Sequence, residues 1–271
     1  MQRQLGVMRT WITDRFRHSH RPEDQRHIIL DLDETLVHSF SGYDVLRELK
    51  LFTSPRHIGL RARIFVLPDD IWGIARPHAE TFLRACFDNF ATVGVWSAGE
   101  DDYVRDVVTR VFRSLPKPDV VMTRDNCLDD GEIFTKPLSV ARAYYEQVGR
   151  HDVVMNEGNT LIIEDRPSAV LPEDRFNSVF VPPYEPEARL SSLLLDDGTL
   201  KTMAGWIADQ TFRGCSDVRM VPRPVFYRES APRVALRAGY ICAPRRDETP
   251  ETQWAEARRR GGNAKEANLA Q

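Results

Sequence analysis

No stretch of the 271 residues stays apolar for anything near the roughly 20 positions that a membrane-crossing helix needs. The first 24 residues also lack the apolar centre of a secretory signal. They are Arg-rich, but Asp14, Glu23 and Asp24 argue against an organelle-targeting peptide, and residues 1–26 read as a plain helical extension. Cysteine is scarce and scattered. Cys86, Cys127, Cys215 and Cys242 form no C-x-x-C pair and have no metal-ligand spacing, which excludes a zinc module and fits a reducing compartment, nuclear or cytoplasmic. A strong charge of one sign is missing too: 37 Lys and Arg against 40 Asp and Glu give −3, so no overall basic field points to nucleic acid. Arg245-Arg246 and Arg258-Arg259-Arg260 are dense in arginine, but residues 245–271 hold six basic groups against five acidic ones and read as a solvated tail. No internal repeat is visible. What is present, 42% hydrophobic and 28% charged residues, suits a folded α/β domain with extensions and no membrane partner.

The clearest local signals are short apolar runs that end abruptly in polar residues. His27-Ile28-Ile29-Leu30 runs into Asp31, and Ala91 to Trp96 runs into Ser97. Asp119 to Met122 meets Thr123 and Arg124, Thr160 to Ile163 meets Glu164 and Asp165, and Ser178 to Val181 stops at Pro182. Runs of this kind predict strands buried on both faces. Helical patterns lie between them. Pro77 can open a helix with Phe82, Leu83, Cys86, Phe87 and Phe90 on one face. Tyr103, Val104, Val107, Val108, Val111 and Phe112 mark a second helix, and Leu138, Ala141, Tyr144, Tyr145 and Val148 a third. The alternation predicts an α/β fold of Rossmann-like type, a three-layer sandwich around a central parallel sheet. Ligands of such sheets bind beyond the carboxyl ends of the strands, where the polar residues converge. Residues 40–75 read as irregular, with a strand at 61–67. Residues 187–212 read as helical, with Leu190, Leu193, Leu194, Leu200, Met203 and Trp206 as core. The pattern fails beyond Asp217, where Pro222, Pro224, Pro232 and Pro244 interrupt regular structure. The expected organisation is an extension over 1–26, the domain over 27–212, and an irregular tail over 213–271.

Asp31-Leu32-Asp33-Glu34-Thr35 follows the first strand directly. Asp31 and Asp33 can point to the same side of a segment turning after that strand, and two carboxylates held together need a cation or a shared proton. Magnesium suits such oxygen ligands. One carboxylate can attack phosphorus while the other moves protons, which gives an aspartyl-phosphate intermediate. A bare D-x-D is more often a helix-capping turn; the longer string through Leu36 and Val37 reverses that reading.

The string resembles the first motif of the haloacid-dehalogenase superfamily. With His38-Ser39 it is similar to the branch of protein phosphatases that act on the RNA polymerase II C-terminal domain. The resemblance continues through Arg76-Pro77-His78, Val95 to Gly99, Arg124 to Leu138, and Ile162 to Pro167, and covers about residues 27–185. It implies that Asp31 is the nucleophile and a Mg2+ ligand. Asp33 would be general acid and then base, with its main-chain carbonyl on the metal, and Thr35 would fix the turn. Ser97 would bond a phosphoryl oxygen, or cap a helix, or both. Lys136 would neutralise charge on the phosphate and on Asp31. Asp165 would complete the metal site, with Glu164 acting directly or through water. Two departures bear on these roles. Glu164 stands where the family more often has Asp, and Pro137 replaces the usual acidic residue after the lysine, so Lys136 is expected to sit differently without losing its role.

For substrate binding, the resemblance implies that Arg124, twelve residues before Lys136, meets the phosphate or the substrate backbone. The alternative is a surface ion pair with Asp125 or Asp129. Tyr103 matches an aromatic of a proline-binding pocket, or is simply helix core, and Glu100 replaces an apolar residue of that pocket. A separate cap domain needs roughly 50 residues or more. Only 36 lie in 40–75 and 27 in 137–163, so no large cap is expected and an open site suits a phosphorylated protein. Two other functions stay open: a catalytically silent scaffold on the same fold, of the kind serving mitochondrial import, and a phosphatase of nucleic-acid ends, which would want a basic groove.

Overall fold

His27–Leu30 is buried along its whole length and forms the central strand, β1. In this computed structural model, residues 25–49, 51, 57–224, 226–227 and 239–240 are described. The expected N-terminal helix, Cys242 and the basic clusters of the tail fall outside them. After β1 the chain makes a small antiparallel sheet from β2 (Val37–Ser41), β3 (Ile64–Val66) and β4 (Ile71–Ala75), in the order β2-β4-β3. Helices α1 (Tyr43–Glu48) and α2 (Ile58–Arg63) lie within this excursion. Then follow α3 (Ala79–Asn89), β5 (Thr92–Trp96), α4 (Asp101–Val111) and β6 (Val120–Met122). A two-residue ladder, β7 (Leu128–Asp129) with β8 (Phe134–Thr135), leads into α5 (Leu138–Gln147). The chain continues through β9 (Thr160–Glu164), β10 (Ser178–Phe180), α6 (Leu190–Leu193), α7 (Thr199–Ala208) and α8 (Gln210–Gly214).

The five strands expected from the apolar runs form one parallel sheet in the order β10-β9-β1-β5-β6. Alternation along β1 gives the layers. Ile28 and Leu30 face one core with Phe82, Leu83 and Cys86 of α3, Val104, Val107 and Val108 of α4, and Leu200, Met203 and Ile207 of α7. Ile29 faces the other, with Leu138, Ala141 and Tyr145 of α5. The result is a three-layer α/β sandwich with a central parallel sheet. From β1 the chain builds outward to β5 and β6, then returns to place β9 and β10 on the opposite side. In sheets of this kind such a reversal places the ligand crevice at the carboxyl end of the central strand, here β1.

Several expected boundaries are corrected. Within 61–67 only Ile64–Val66 is strand, because Arg63 is drawn into the end of α2 and donates to the carbonyls of Ala75 and Leu193 and to the Tyr184 hydroxyl. Much of the described part of 40–75 is regular: besides β2, β4, α1 and α2, Phe40 stacks on Trp72 at 4.3 Å, and Leu46, Leu60, Trp72 and Ile74 make a small core. Pro77 does not start α3. The chain turns at His78, which is left-handed (φ 64), and the helix begins at Ala79. The helical stretch expected over 187–212 is three helices, broken at Asp196-Asp197-Gly198, where Gly198 takes φ 65, and again at Asp209, whose side chain accepts from the Thr211 amide. The core also runs past residue 212. Val218, Val221 and Phe226 are buried in the same cluster as Phe212, and Phe226–Tyr227 pairs with Gly239–Tyr240, so neither burial nor strand pairing ends at Pro222 and Pro224. Among the described residues no helix is long and apolar enough to cross a membrane.

Candidate active site

The segment after β1 is a tight turn. The amides of Leu36 and Val37 donate to the Leu32 carbonyl, the Glu34 amide donates to the Val37 carbonyl, and Glu34 is left-handed at φ 61. Leu32 and Leu36 are fully buried and anchor it. Arg76 holds the turn from below. Its guanidinium has no exposed surface, donates to the carbonyls of Thr35 (3.2 Å) and Pro182 (2.8 Å) and to the Thr199 hydroxyl (3.0 Å), and pairs with Asp197 at 2.6 Å.

Asp31 thereby sits at the carboxyl end of β1, 3% exposed, with its amide on the Ile163 carbonyl. The Lys136 ammonium, equally buried, bonds Asp31 Oδ1 and lies 2.7 Å from Glu164 Oε2. Pro137 follows this lysine as the N-cap residue of α5. The helix that follows is anchored by Asp174, which accepts from the Leu138 amide at 2.9 Å, and the Lys136 amide is held by the Ala169 carbonyl. Glu164 is fully buried at the end of β9. Its extra methylene carries the carboxylate to Lys136, while Oε1 accepts from the Arg166 amide at 3.1 Å. Asp165 receives the Thr35 hydroxyl at 3.4 Å.

Asp31, Glu164 and Asp165 each present a carboxylate oxygen, all within 4.8 Å of one another. Burial and the neighbouring Glu164 charge push Asp31 up to about 7, although Lys136 opposes them. Burial, with Asp31 and Glu164 beside it, pushes Asp165 up to about 8. Burial alone would lower Lys136, but Asp31 and Glu164 more than offset it and raise it. Asp31 Oδ2 is buried and has no hydrogen-bond partner. Three crowded carboxylates, one lysine and an orphaned carboxylate oxygen fit a hard divalent cation with oxygen ligands.

Asp33 lies outside that cluster. Its Oδ2 accepts from Ser97 at 2.8 Å and its Oδ1 from the Tyr103 hydroxyl, which also meets Ser39 at 2.8 Å. Ser97 follows β5 and is buried. It does not cap α4, whose N-cap position is Glu100; instead its hydroxyl accepts the Gly99 amide and closes the loop below the helix. Asp31, Asp33, Thr35, Ser97, Lys136, Glu164 and Asp165 are therefore gathered in one crevice. Arg124 is at its rim and exposed. It donates to the Ala98 carbonyl, lies over the Phe134 ring, and pairs with Glu100 at 3.3 Å, not with Asp125 or Asp129. Arg166, half exposed beside Glu164, and the Arg76 brace received no role from sequence reasoning, and the contacts of Ser97 and Tyr103 with Asp33 differ from the roles expected of them. Arg76 and Arg166 stand inside the motifs that carry the resemblance, which was the available signal.

A family model described as NLI interacting factor-like phosphatase matches residues 26–217. No curated protein matches the sequence. Among solved structures, fission yeast RNA polymerase II CTD phosphatase Fcp1 bound to beryllium fluoride is similar over 65% of this chain and 45% of its own, with 19% identity and a TM-score of 0.44. A second structure, of Fcp1 described as an essential RNA polymerase II CTD phosphatase, gives the same figures. The chain thus spans less than half the length of these proteins.

Proposed function

Because the chain belongs to the NLI interacting factor-like phosphatase family, we propose that it hydrolyses phosphoserine or phosphothreonine esters of proteins, with Mg2+ as cofactor and Asp31 as the phosphoryl acceptor. The observation that carries this reading is the state of Asp31: buried, oriented by Lys136 through one oxygen, and unpartnered at the other. A carboxylate held this way is aimed, and its free oxygen is available to attack.

Asp31 supplies the electron pair of the new phosphorus–oxygen bond. As the ester bond breaks, the leaving alkoxide takes a proton from Asp33. Asp33 then removes a proton from water, the water oxygen attacks phosphorus, the Asp31–phosphoryl bond breaks, and phosphate leaves with the Asp31 carboxylate restored. Lys136 offsets charge on Asp31 and on the transferred group, and the Ser97 hydroxyl, whose hydrogen goes to Asp33 in the substrate-free site, is assigned to a phosphoryl oxygen once substrate is bound, by turning from Asp33. Asp31, Glu164, Asp165 and the Asp33 main-chain carbonyl would hold Mg2+, which when bound supplies positive charge to the phosphoryl oxygens.

A protein substrate is favoured by how the crevice is covered. Among the described residues its border is a three-stranded sheet, with no second packed domain to enclose a small metabolite. The Arg124–Glu100 ion pair stands where the resemblance implies an apolar proline pocket, so the proposal stops short of naming the polymerase tail.

The test is phosphate release from an aryl phosphate and then from phosphopeptides, with and without Mg2+, for wild type and Asp31→Asn. Metal-dependent turnover that falls to background in the variant is expected. A wild type silent on both substrate kinds with Mg2+ would overturn the reading in favour of a non-catalytic scaffold. Preference for phosphorylated nucleic-acid ends over phosphopeptides would overturn the substrate class.

A further inference from the structure

Tyr103 is placed in a way that neither a core residue nor a pocket wall requires. Its ring packs against the core from the first turn of α4, and Gly99 makes room for it: a methyl group at Gly99 would come within 3.0 Å of Tyr103 Cδ1. This close fit leaves the ring half-buried and its hydroxyl on Asp33. A phenol has one hydrogen. With that hydrogen given to Asp33 Oδ1, the Ser39 hydroxyl at 2.8 Å must donate to the phenol oxygen. Ser97 likewise gives its one hydrogen to Asp33 Oδ2 while accepting the Gly99 amide. The chain Ser39, Tyr103, Asp33 therefore runs in one direction, and both carboxylate oxygens are recipients. Such chains polarise in series, so each bond strengthens the next.

We infer that Tyr103, oriented by Ser39, is a positioning residue for Asp33 that stabilises the carboxylate as its proton passes to the leaving group. The inference rests on the proposed phosphatase reading and adds a residue to it. A neutral Asp33 carboxyl accepts weakly from a phenol, whereas the carboxylate left behind when the proton departs accepts strongly. The Tyr103 bond is thus stronger at the transition state of proton transfer than before it, the condition for accelerating that step. The same contact fixes the direction in which Asp33 points, because α4 carries Tyr103 and β2 carries Ser39, and Asp33 is tied to both.

This role predicts an unequal response to leaving groups. When the departing oxygen is a poor leaving group, proton delivery by Asp33 lies in the rate-limiting barrier; when it is a good one, the bond breaks with little help. Phenyl phosphate and para-nitrophenyl phosphate differ in this property and little in shape. With Mg2+ present, kcat of Tyr103→Phe on phenyl phosphate should fall by roughly tenfold more than on para-nitrophenyl phosphate, the scale of one hydrogen bond to a charged group. KM should change less than twofold on both. Ser39→Ala, which removes the donor behind the phenol, should shift the same ratio in the same direction by a smaller factor. Its fold is checked by the melting temperature. Equal losses on the two esters in an active, folded Tyr103→Phe would overturn the positioning role and leave the phosphatase reading standing. A rise in KM without that kcat difference would do the same and return Tyr103 to substrate binding. A wild type that hydrolyses neither ester would overturn both.

Discussion

His27 opens the central strand and is fully buried, with Nδ1 at 2.9 Å from the Thr92 hydroxyl across the sheet. Burial lowers it from 6.5 to about 4, against smaller raising effects from the Val154 main chain and Asp119. In the unfolded chain the imidazole takes up a proton near its ordinary value; in the folded protein it resists until about pH 4. Between these limits the unfolded state binds more protons, so stability is fully present above about pH 6.5 and is lost as pH falls toward 4. Each pH step of one across this window is worth about 1.4 kcal/mol, and the whole loss amounts to roughly 3 kcal/mol. The assay is urea unfolding, followed by circular dichroism, of wild type and His27→Gln at intervals from pH 7.5 to 4.5. Glutamine keeps a hydrogen-bonding group toward Thr92 and does not titrate. Asp31 and Asp165 act with the opposite sign, since a raised carboxylate makes the folded state the better proton binder, but they act alike in both proteins and cancel in the difference. The wild-type advantage over His27→Gln should therefore shrink by about 2 kcal/mol or more across this range. A difference constant to within about 0.5 kcal/mol would refute the assignment of a neutral, buried imidazole.

Two further outcomes follow from the same contacts. Arg76→Met removes the ion pair to Asp197 and strands the carbonyls of Thr35 and Pro182, and should destabilise the fold by about 3 kcal/mol, at the low end for a broken buried pair because Asp197 is one-third exposed. Arg76→Lys should recover only part of this, and a urea-unfolding free energy that falls by less than about 1 kcal/mol in Arg76→Met would contradict its role as the brace of the turn. Glu100→Leu breaks the pair with Arg124 and restores an apolar side chain at the rim; kcat/KM for phosphopeptides with proline beside the phosphorylated residue should rise several-fold relative to peptides without it, and an unchanged ratio would show that Glu100 does not select the flank.

The sheet was legible because burial on both faces leaves a plain mark, an apolar run that stops at the strand end. The groups that stop those runs, Asp31, Ser97 and Glu164 with Asp165, also make up the proposed site, so one signal points to both. What escaped has identifiable causes. The small sheet beside the site is made of strands of three to five residues, and β2 shows one buried position followed by half-exposed ones, too little alternation to read. Arg76 looks like any surface arginine until its acceptors arrive from residues 35, 182, 197 and 199. The sequence offers Asp125 and Asp129 as nearby partners for Arg124, but the turn after β5 brings Glu100 from 24 residues away. The Tyr103 contact depends on where a helix sets down one hydroxyl, and helical periodicity records only that the ring faces inward.

The electrostatics of the crevice bear on whether the site is used or only inherited. Lys136, Asp31 and Glu164 are buried together, and Asp31 Oδ2 is left with no donor. Apolar residues of similar volume at such positions are commonly neutral or stabilising, whereas removing one member of the set strands the others. A scaffold that needed only the fold would gain by losing all three. A site that needs an aimed carboxylate beside a cation must keep them, along with the Arg76 brace and the hydroxyls that hold Asp33. The constellation is coherent as chemistry and unfavourable as packing, and that combination weighs for catalysis over a silent scaffold.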